Sequence, residues 1–330
     1  MSGERGRSEQ ERHYRLVHRT LYRYPETVTS SYGLATLLPR DGHGQRVHSA
    51  GLTVTPTPAE TAGHVDIHGN RSTWFHVTQE HTVLEVGAVS LLTVTRRRLD
   101  PTSVPQVPWE QAVAAVSSMR STGHGGQGEG PSSVLTVVES ALPSELVEPG
   151  EEALEYALPS FGRGTPLVRA VADLSHRIRT EFTYKPGATT VHTRLPELLE
   201  RRTGVCQDFA HVMIAGLRSL GLAARYVSGY IETIPAPGKE KLRGVDASHA
   251  WVAAWIPGGG WVHIDPTNDQ FIDNRYVLLG WGRDFRDVSP LRGIVYSSGG
   301  GARPEVGVDL WPLTAAELAE ERSSGLAVPR

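Results

Sequence analysis

The chain has one cysteine, Cys206, in the run Gly204-Val205-Cys206-Gln207-Asp208-Phe209. Directly after it comes an apolar stripe, Phe209, Met213, Leu217 and Leu220, at helical spacing. That pattern puts the thiol in the first turn of a helix, where unpaired N–H groups and the helix dipole favour negative charge. A thiolate is the nucleophilic form of cysteine, and a helix N-terminus with a nearby imidazolium can bring its pKa from about 8.5 to roughly 3.5–7.5. The thiol therefore needs a histidine. His249 stands in Asp246-Ala247-Ser248-His249-Ala250-Trp251-Val252-Ala253-Ala254-Trp255-Ile256, which alternates as a strand. A tight loop, Pro257-Gly258-Gly259-Gly260, leads into a second strand, Trp261-Val262-His263-Ile264-Asp265, which ends in a carboxylate.

The two strands read as a hairpin, and its register decides whether His249 and Asp265 can meet. Opposed residues of an antiparallel pair have a constant index sum, and side chains alternate between faces with period two. Both positions are odd, so they share a face only if that sum is even, as when Ile256 opposes Gly260 or Val262. Pairing Ile256 with Trp261 would separate them unless a bulge intervened. In the favourable register Asp265 accepts the Nδ1–H of His249 and favours the imidazolium, leaving Nε2 for the sulfur of Cys206. The backbone N–H of Cys206 then serves as one oxyanion donor.

Each residue also has a plainer reading. A lone cysteine is more often an inert buried thiol, thirteen other histidines dilute any claim for His249, and Asp before Pro is a common turn initiator. Asp208 can serve simply to complement the helix N-terminus, and Trp251, Trp255 and Trp261 suit hairpin packing. A metal held by Cys206, His249, Asp265 and a further histidine lacks any ligand-pair spacing such as H-x-x-x-H.

The elements that must position these residues fall into distinct regions. From His13 to Val94 the sequence alternates in short runs broken by turn signals, which predicts an all-β region of about six to eight strands. Arg96-Arg97-Arg98 closes it and reads as a solvated strand end. A proline-rich stretch follows, then a short helix from Trp109 to Met119. The formal G-x-G-x-x-G at Gly123, Gly125 and Gly128 has no strand before it and reads as a loop. From Thr165, an expected N-cap with Pro166 at the first helical position, the period becomes helical through Leu167, Val171, Leu174 and Ile178. Another short helix is expected at Leu195–Arg202. The expected division is a β-rich domain over 1–100, a linker with short helices over 101–160, and a catalytic domain over 161–330.

With 33 Lys and Arg against 36 Asp and Glu, the net charge of −3 excludes a generalised nucleic-acid binder. No apolar run approaches the roughly 18–20 residues needed to cross a bilayer as a helix. A single cysteine excludes an intrachain disulfide framework, and the N-terminal ten residues lack the pattern of a secretory signal. The expectation is a cytoplasmic protein with no nucleic-acid or membrane partner and an oligomeric state left open.

Five ordered motifs together resemble the bacterial transglutaminase-like proteins: Phe182-Thr183-Tyr184 with Pro186-Gly187-Ala188-Thr189-Thr190, Gly204 to His211, Ala224-Arg225-Tyr226-Val227-Ser228-Gly229-Tyr230, Asp246 to Trp251, and Gly260 to Asn268. The resemblance covers most of the chain, the β-rich region more loosely over Gln45 to Val94. It implies an α+β fold: a papain-like transglutaminase core, its nucleophile helix packed on an antiparallel sheet, preceded by an all-β N-terminal domain. By motif position a Cys-His-Asp triad falls on Cys206, His249 and Asp265. The resemblance implies covalent catalysis on a carboxamide or peptide bond of a protein, peptide or small amide, ending in hydrolysis or in transfer to an amine. Nothing resembles the calcium-binding loops of animal transglutaminases, so no metal or other cofactor is expected. Loops over Pro235 to Gly244 and Tyr184 to Thr190 would govern the acceptor. The alternative is a non-catalytic interaction module on the same fold.

Overall fold

The computed structural model describes residues 11–123, 131–191, 193–234 and 248–324. The first region forms five strands: β1 (Arg12–Leu38), β2 (Gln45–Thr55), β3 (Glu60–Val65), β4 (Arg71–Val77) and β5 (His81–Val94). β1 runs for 27 residues because alternation persists along it, with Tyr14, Leu16, His18 and Thr20 buried on one face. Its register slips between Arg23 and Val28, so its first half pairs with β5 and its second with β4.

Helices follow: α1 (Trp109–Thr122), α2 (Pro131–Glu139), α3 (Glu151–Ala157) and α4 (Leu167–Glu181). α1 closes on Gly123 in the left-handed conformation. The rest of the glycine-rich run, 124–130, lies outside the described residues. α4 buries Leu167, Val171, Leu174 and Ile178 as its period requires. It begins one residue later than expected, with Pro166 rather than Thr165 at the N-cap and no side-chain cap. Short strand β6 (Thr183–Tyr184), α5 (Leu195–Arg201) and β7 (Thr203–Gly204) then lead into α6 (Cys206–Ser219).

α6 is the central helix. Phe209, Met213 and Leu217 are buried as its stripe predicts, but Ala210, Val212, Ile214 and Ala215 on other faces are buried too. A helix apolar on all sides belongs in the interior. It lies in one apolar core with α4, α3 and the inner residues Ala250, Val252, Ala254, Val262 and Ile264 of the second sheet. That sheet contains β8 (Ala224–Ile231), β9 (Ser248–Ile256), β10 (Gly260–Asp265), β11 (Gln270–Phe271) and β12 (Tyr276–Gly282), in the order β11-β10-β9-β8-β12.

The chain then departs from the expected division. β13 (Leu291–Ser297) and β14 (Pro304–Leu313) return to the first sheet and pair with the free edge of β1, and α7 (Ala315–Ser324) contacts β1, β5 and β14. The first region thus supplies five strands rather than six to eight, and residues 291–324 belong with it rather than with 161–290. The reason is hydrogen bonding: a 27-residue strand paired on one side only would leave a long row of open backbone groups.

The two sheets are joined by a shared apolar cluster, in which Tyr14, Leu16, Leu92, Val308 and Leu310 meet Tyr230, Val277 and Leu279. They are also joined by two side-chain amides. Among the described residues no strand pairs with the outer edge of β12. Instead Gln45 brackets Leu278, accepting its N–H at 2.9 Å and donating to its carbonyl at 2.9 Å. Asn70 does the same to Trp281, at 2.9 and 2.8 Å. Positions three apart in a strand normally face opposite edges. An extra residue between Leu278 and Gly280 restores the parity and turns both towards the first sheet. Gly280 makes room for this, since a Cβ there would lie 2.5 Å from Oδ1 of Asn70.

Each bracket therefore satisfies one backbone N–H and one C=O, and a buried group left unpaired costs roughly 1–3 kcal/mol. Gln45→Ala should lower the urea midpoint and raise amide exchange at Leu278 without disturbing β9 or β10. Unchanged exchange at β12 would show that the bracket carries no load.

Candidate functional site

The β9–β10 hairpin has a three-residue loop and pairs Ile256 with Gly260 and Ala254 with Val262, an index sum of 516. The sum is even, so His249 and Asp265 share a face. Nε2 of His249 donates to Oδ2 of Asp265 at 2.7 Å. The Cys206 thiol lies close enough to the same ring to raise its pKa. With Nε2 occupied by the carboxylate, Nδ1 is the ring nitrogen left for sulfur. This reverses the ring orientation expected from sequence, in which Nδ1 met Asp265; which nitrogen meets the carboxylate is set by how the hairpin presents the ring and is invisible in residue type. The three predicted residues are nevertheless brought together, Cys206 partly exposed and the other two buried.

Asp265 is wholly buried, and a buried carboxylate has to be supplied with donors. Besides His249 it accepts from the Tyr276 hydroxyl at 2.7 Å and from Nδ2 of Asn268 at 2.7 Å on Oδ2. On Oδ1 it accepts from the backbone N–H groups of Thr267 and Asn268 at 2.9 and 3.3 Å. Burial alone would raise its pKa, but the His249 charge and these donors hold it below the ordinary carboxylate value. Burial likewise opposes protonation of His249, and Asp265, with Cys206, reverses this and raises its pKa. Sequence reading missed Tyr276. The signal for it was indirect: a buried strand-end aspartate has more lone pairs than one histidine can satisfy.

The thiol is held by the turn that opens α6. Asp208 accepts the N–H of Val205 at 2.8 Å through Oδ2, and the Thr189 hydroxyl donates to the same oxygen at 2.6 Å. Asp208 thus ties the loop at Thr189 to the helix start, a larger role than complementing the dipole. Gly204 is required here, because a Cβ would lie 2.5 Å from Oδ2 of Asp208. β6 pairs in parallel with β7, setting Tyr184 against Gly204, and Tyr184 packs edge-on to Phe209. Burial and the nearby Cys206 raise the Tyr184 pKa. Trp251 and Trp255 are buried in the sheet, so they pack rather than line a site. The Pro235–Gly244 loop lies outside the described residues. Among the described residues, no group of three or more His, Cys, Asp or Glu is placed to hold a metal, and no helix is long and apolar enough to cross a membrane.

A cysteine at the start of a buried helix, facing a His–Asp pair on an antiparallel sheet, defines a papain-like α+β core. Comparison with known proteins gives the family. Residues 157–266 match the transglutaminase-like superfamily and residues 14–93 match the bacterial transglutaminase-like N-terminal region. An uncharacterized protein of Mycobacterium tuberculosis is 44% identical over 311 residues, covering 92% of this chain and 94% of its own. A protein-glutamine gamma-glutamyltransferase of Pseudomonas aeruginosa is 33% identical over 147 residues, 38% of this chain and 22% of that one. A solved structure from Cytophaga hutchinsonii, described as a candidate cysteine protease, shares the fold with a TM-score of 0.70 at 19% identity, covering 92% of each chain. The chain belongs to the transglutaminase-like superfamily, and the β-rich first region is that family's own.

The pair has a pH signature. Asp265, its pKa lowered, stabilises the fold above its unfolded value of about 3.9 and loses this as pH falls through its folded value. His249, its pKa raised, stabilises below its unfolded value of about 6.5 and loses this as pH rises towards its folded one. The contribution is therefore full between about pH 4 and 6.5. Asp265→Asn should cost roughly 3–5 kcal/mol in that window, as for a buried pair deprived of one partner. The melting temperature gap to the unmodified protein should narrow on either side, and a gap independent of pH would contradict the ion pair.

Proposed function

We propose that this protein is a thiol enzyme acting on carboxamide or peptide bonds, with Cys206 as nucleophile, His249 as acid and base, and Asp265 as the group that orients and charges the imidazole. The observation that carries this reading is the 2.7 Å bond from Nε2 of His249 to Asp265, which leaves Nδ1 for the nearby thiol at a helix N-terminus. The thiolate attacks the carbonyl carbon, and the oxygen that becomes negative accepts from the Cys206 N–H, which the helix leaves unbonded. The Nδ1 proton of His249 goes to the departing amine, and the acyl group stays on sulfur as a thioester. Water or a second amine, deprotonated by the same nitrogen, then attacks the thioester and frees the thiolate.

Hydrolysis and acyl transfer share every step until that last one, and differ in how well the site excludes water. We place the acceptor beside Tyr184, the half-exposed side chain adjacent to Cys206 and part of the loop that Thr189 ties to Asp208. The expected substrate is a protein, peptide or small amide that presents its carbonyl at this end of α6.

Because there is one cysteine, every adduct can be assigned. Iodoacetamide labelling followed by intact mass should proceed well below the ordinary thiol pKa of about 8.5 and should lose that low-pH branch in His249→Ala. Incubation with a glutamine-containing peptide and hydroxylamine should yield peptide hydroxamate. The rate should fall by about 10²–10⁴ in His249→Ala and vanish in Cys206→Ala. Labelling that follows an ordinary thiol in both proteins, with no acyl transfer or hydrolysis, would favour the interaction module instead.

A further inference from the structure

On the face of the second sheet that carries His249 and Asp265, one cross-strand row is unlike the others. Arg225 of β8 and His263 of β10 both pair with Ala253 of β9, so a small side chain separates two large basic ones. Arg225 is 3% exposed and its guanidinium lies between two indole faces, 4.1 Å from Trp261 and 3.9 Å from Trp281. Its Nε and Nη2 are buried without a hydrogen-bond partner. His263, 7% exposed, accepts at Nδ1 from the Trp251 indole N–H at 3.1 Å. In the neutral ring its Nε2 must then carry the proton, and that donor is buried and unpartnered too.

The first sheet and its exit bring further cations to the same place. Arg96, expected from sequence to be a solvated strand end, is partly buried. It donates through Nε to the carbonyl of His43 at 2.8 Å and through Nη1 to those of Tyr276 and Asp273 at 3.0 and 3.3 Å. Three carbonyls fix its plane, and its Nη2 has no partner. His43 sits at the mouth, its ring 5.1 Å from that of His263. Arg40 stacks 3.4 Å above Trp281 on the side of the first sheet. Arg96, Arg97, His263, His43 and Trp261 are among the walls of a cleft of about 230 Å³, and Arg225 lies behind it, stacked on the same Trp261. No carboxylate is among its described lining residues. Desolvated cations with unfilled donors are expensive to keep, and the missing component is an acceptor carrying negative charge.

We propose that this cleft binds a small oxyanion, a phosphate or carboxylate group, held by His263 from the second sheet and Arg96 and His43 from the first, with the buried charge of Arg225 behind Trp261 drawing it in. A guanidinium fork matches either group in two-point geometry. The cleft is distinct from the Cys206 site. It shares the β9–β10 hairpin and Tyr276 with that site, and it takes donors from both sheets, so an anion bound there would join them.

The test is the thermal stability of the full chain in phosphate, in malonate and in sodium chloride of equal ionic strength. A rise of roughly 3–5 °C over chloride is expected at an anion concentration about a hundredfold above its dissociation constant. A rise in phosphate alone assigns a phosphate ligand, in malonate alone a carboxylate ligand, and in both a site open to either. Arg225→Met removes the buried cation and should melt no lower than the parent in chloride while losing the response to the anion. Should that variant fail to fold, His43→Asn serves, since Asn tolerates the positive φ of 51° at this turn. It should weaken binding at least about tenfold by isothermal titration. No rise above chloride in the unmodified protein, or a response retained in Arg225→Met or an affinity retained in His43→Asn, overturns the site.

Discussion

Everything at the candidate active site depends on keeping one carboxylate charged where water does not reach it. Asp265 is fully buried, and its charge is supported by donors from three directions: His249 on the neighbouring strand, Tyr276 on β12, and the turn at Thr267 and Asn268 that follows its own strand. Each donor comes from a different part of the sheet, so the carboxylate is supported only when hairpin, turn and edge strand are all in register. Desolvation and hydrogen bonding act in opposite directions on Asp265, and the hydrogen bonds with the imidazolium prevail.

The helix that carries Cys206 is positioned by similar economy. Asp208 joins the N-terminal turn of α6 to Thr189, and the parallel β6–β7 pair brings Tyr184 alongside. Cys206, His249 and Tyr184 therefore sit on a frame made of a buried helix, a strand paired on both sides and the short parallel β6–β7 pair. That agrees with the way binding and catalytic groups are held elsewhere, on rigid elements rather than on free loops.

Much of this was legible in residue order. The parity of His249 and Asp265 set a condition on the hairpin, and the three-residue loop meets it. The helical stripe beginning at Phe209 located the start of α6 and hence the thiol. What residue order does not carry is the direction from which two distant elements approach. The ring nitrogen that bonds Asp265 was therefore assigned the wrong way round, and Tyr276 was missed. The return of β13 and β14 to β1 escaped for a related reason: alternation shows that a segment is a strand, and says nothing of which edge it joins when that edge lies some 260 to 300 residues away. Arg96 was read from its neighbours in sequence, but its environment is made by the carbonyls of Asp273 and Tyr276.

That return has a consequence for how the molecule is made. During synthesis β1 leaves the ribosome early and can join β4 and β5 soon afterwards, yet one of its edges waits for residues 291–313. Domains that fold during synthesis normally do so from the N-terminus onward. Here the first sheet to appear is the last to be completed, and the helical core and second sheet are translated in the interval. Through that interval the open edge of β1 can recruit strands from other nascent chains. The chain is thereby a candidate for chaperone protection over its first half until its last strands emerge.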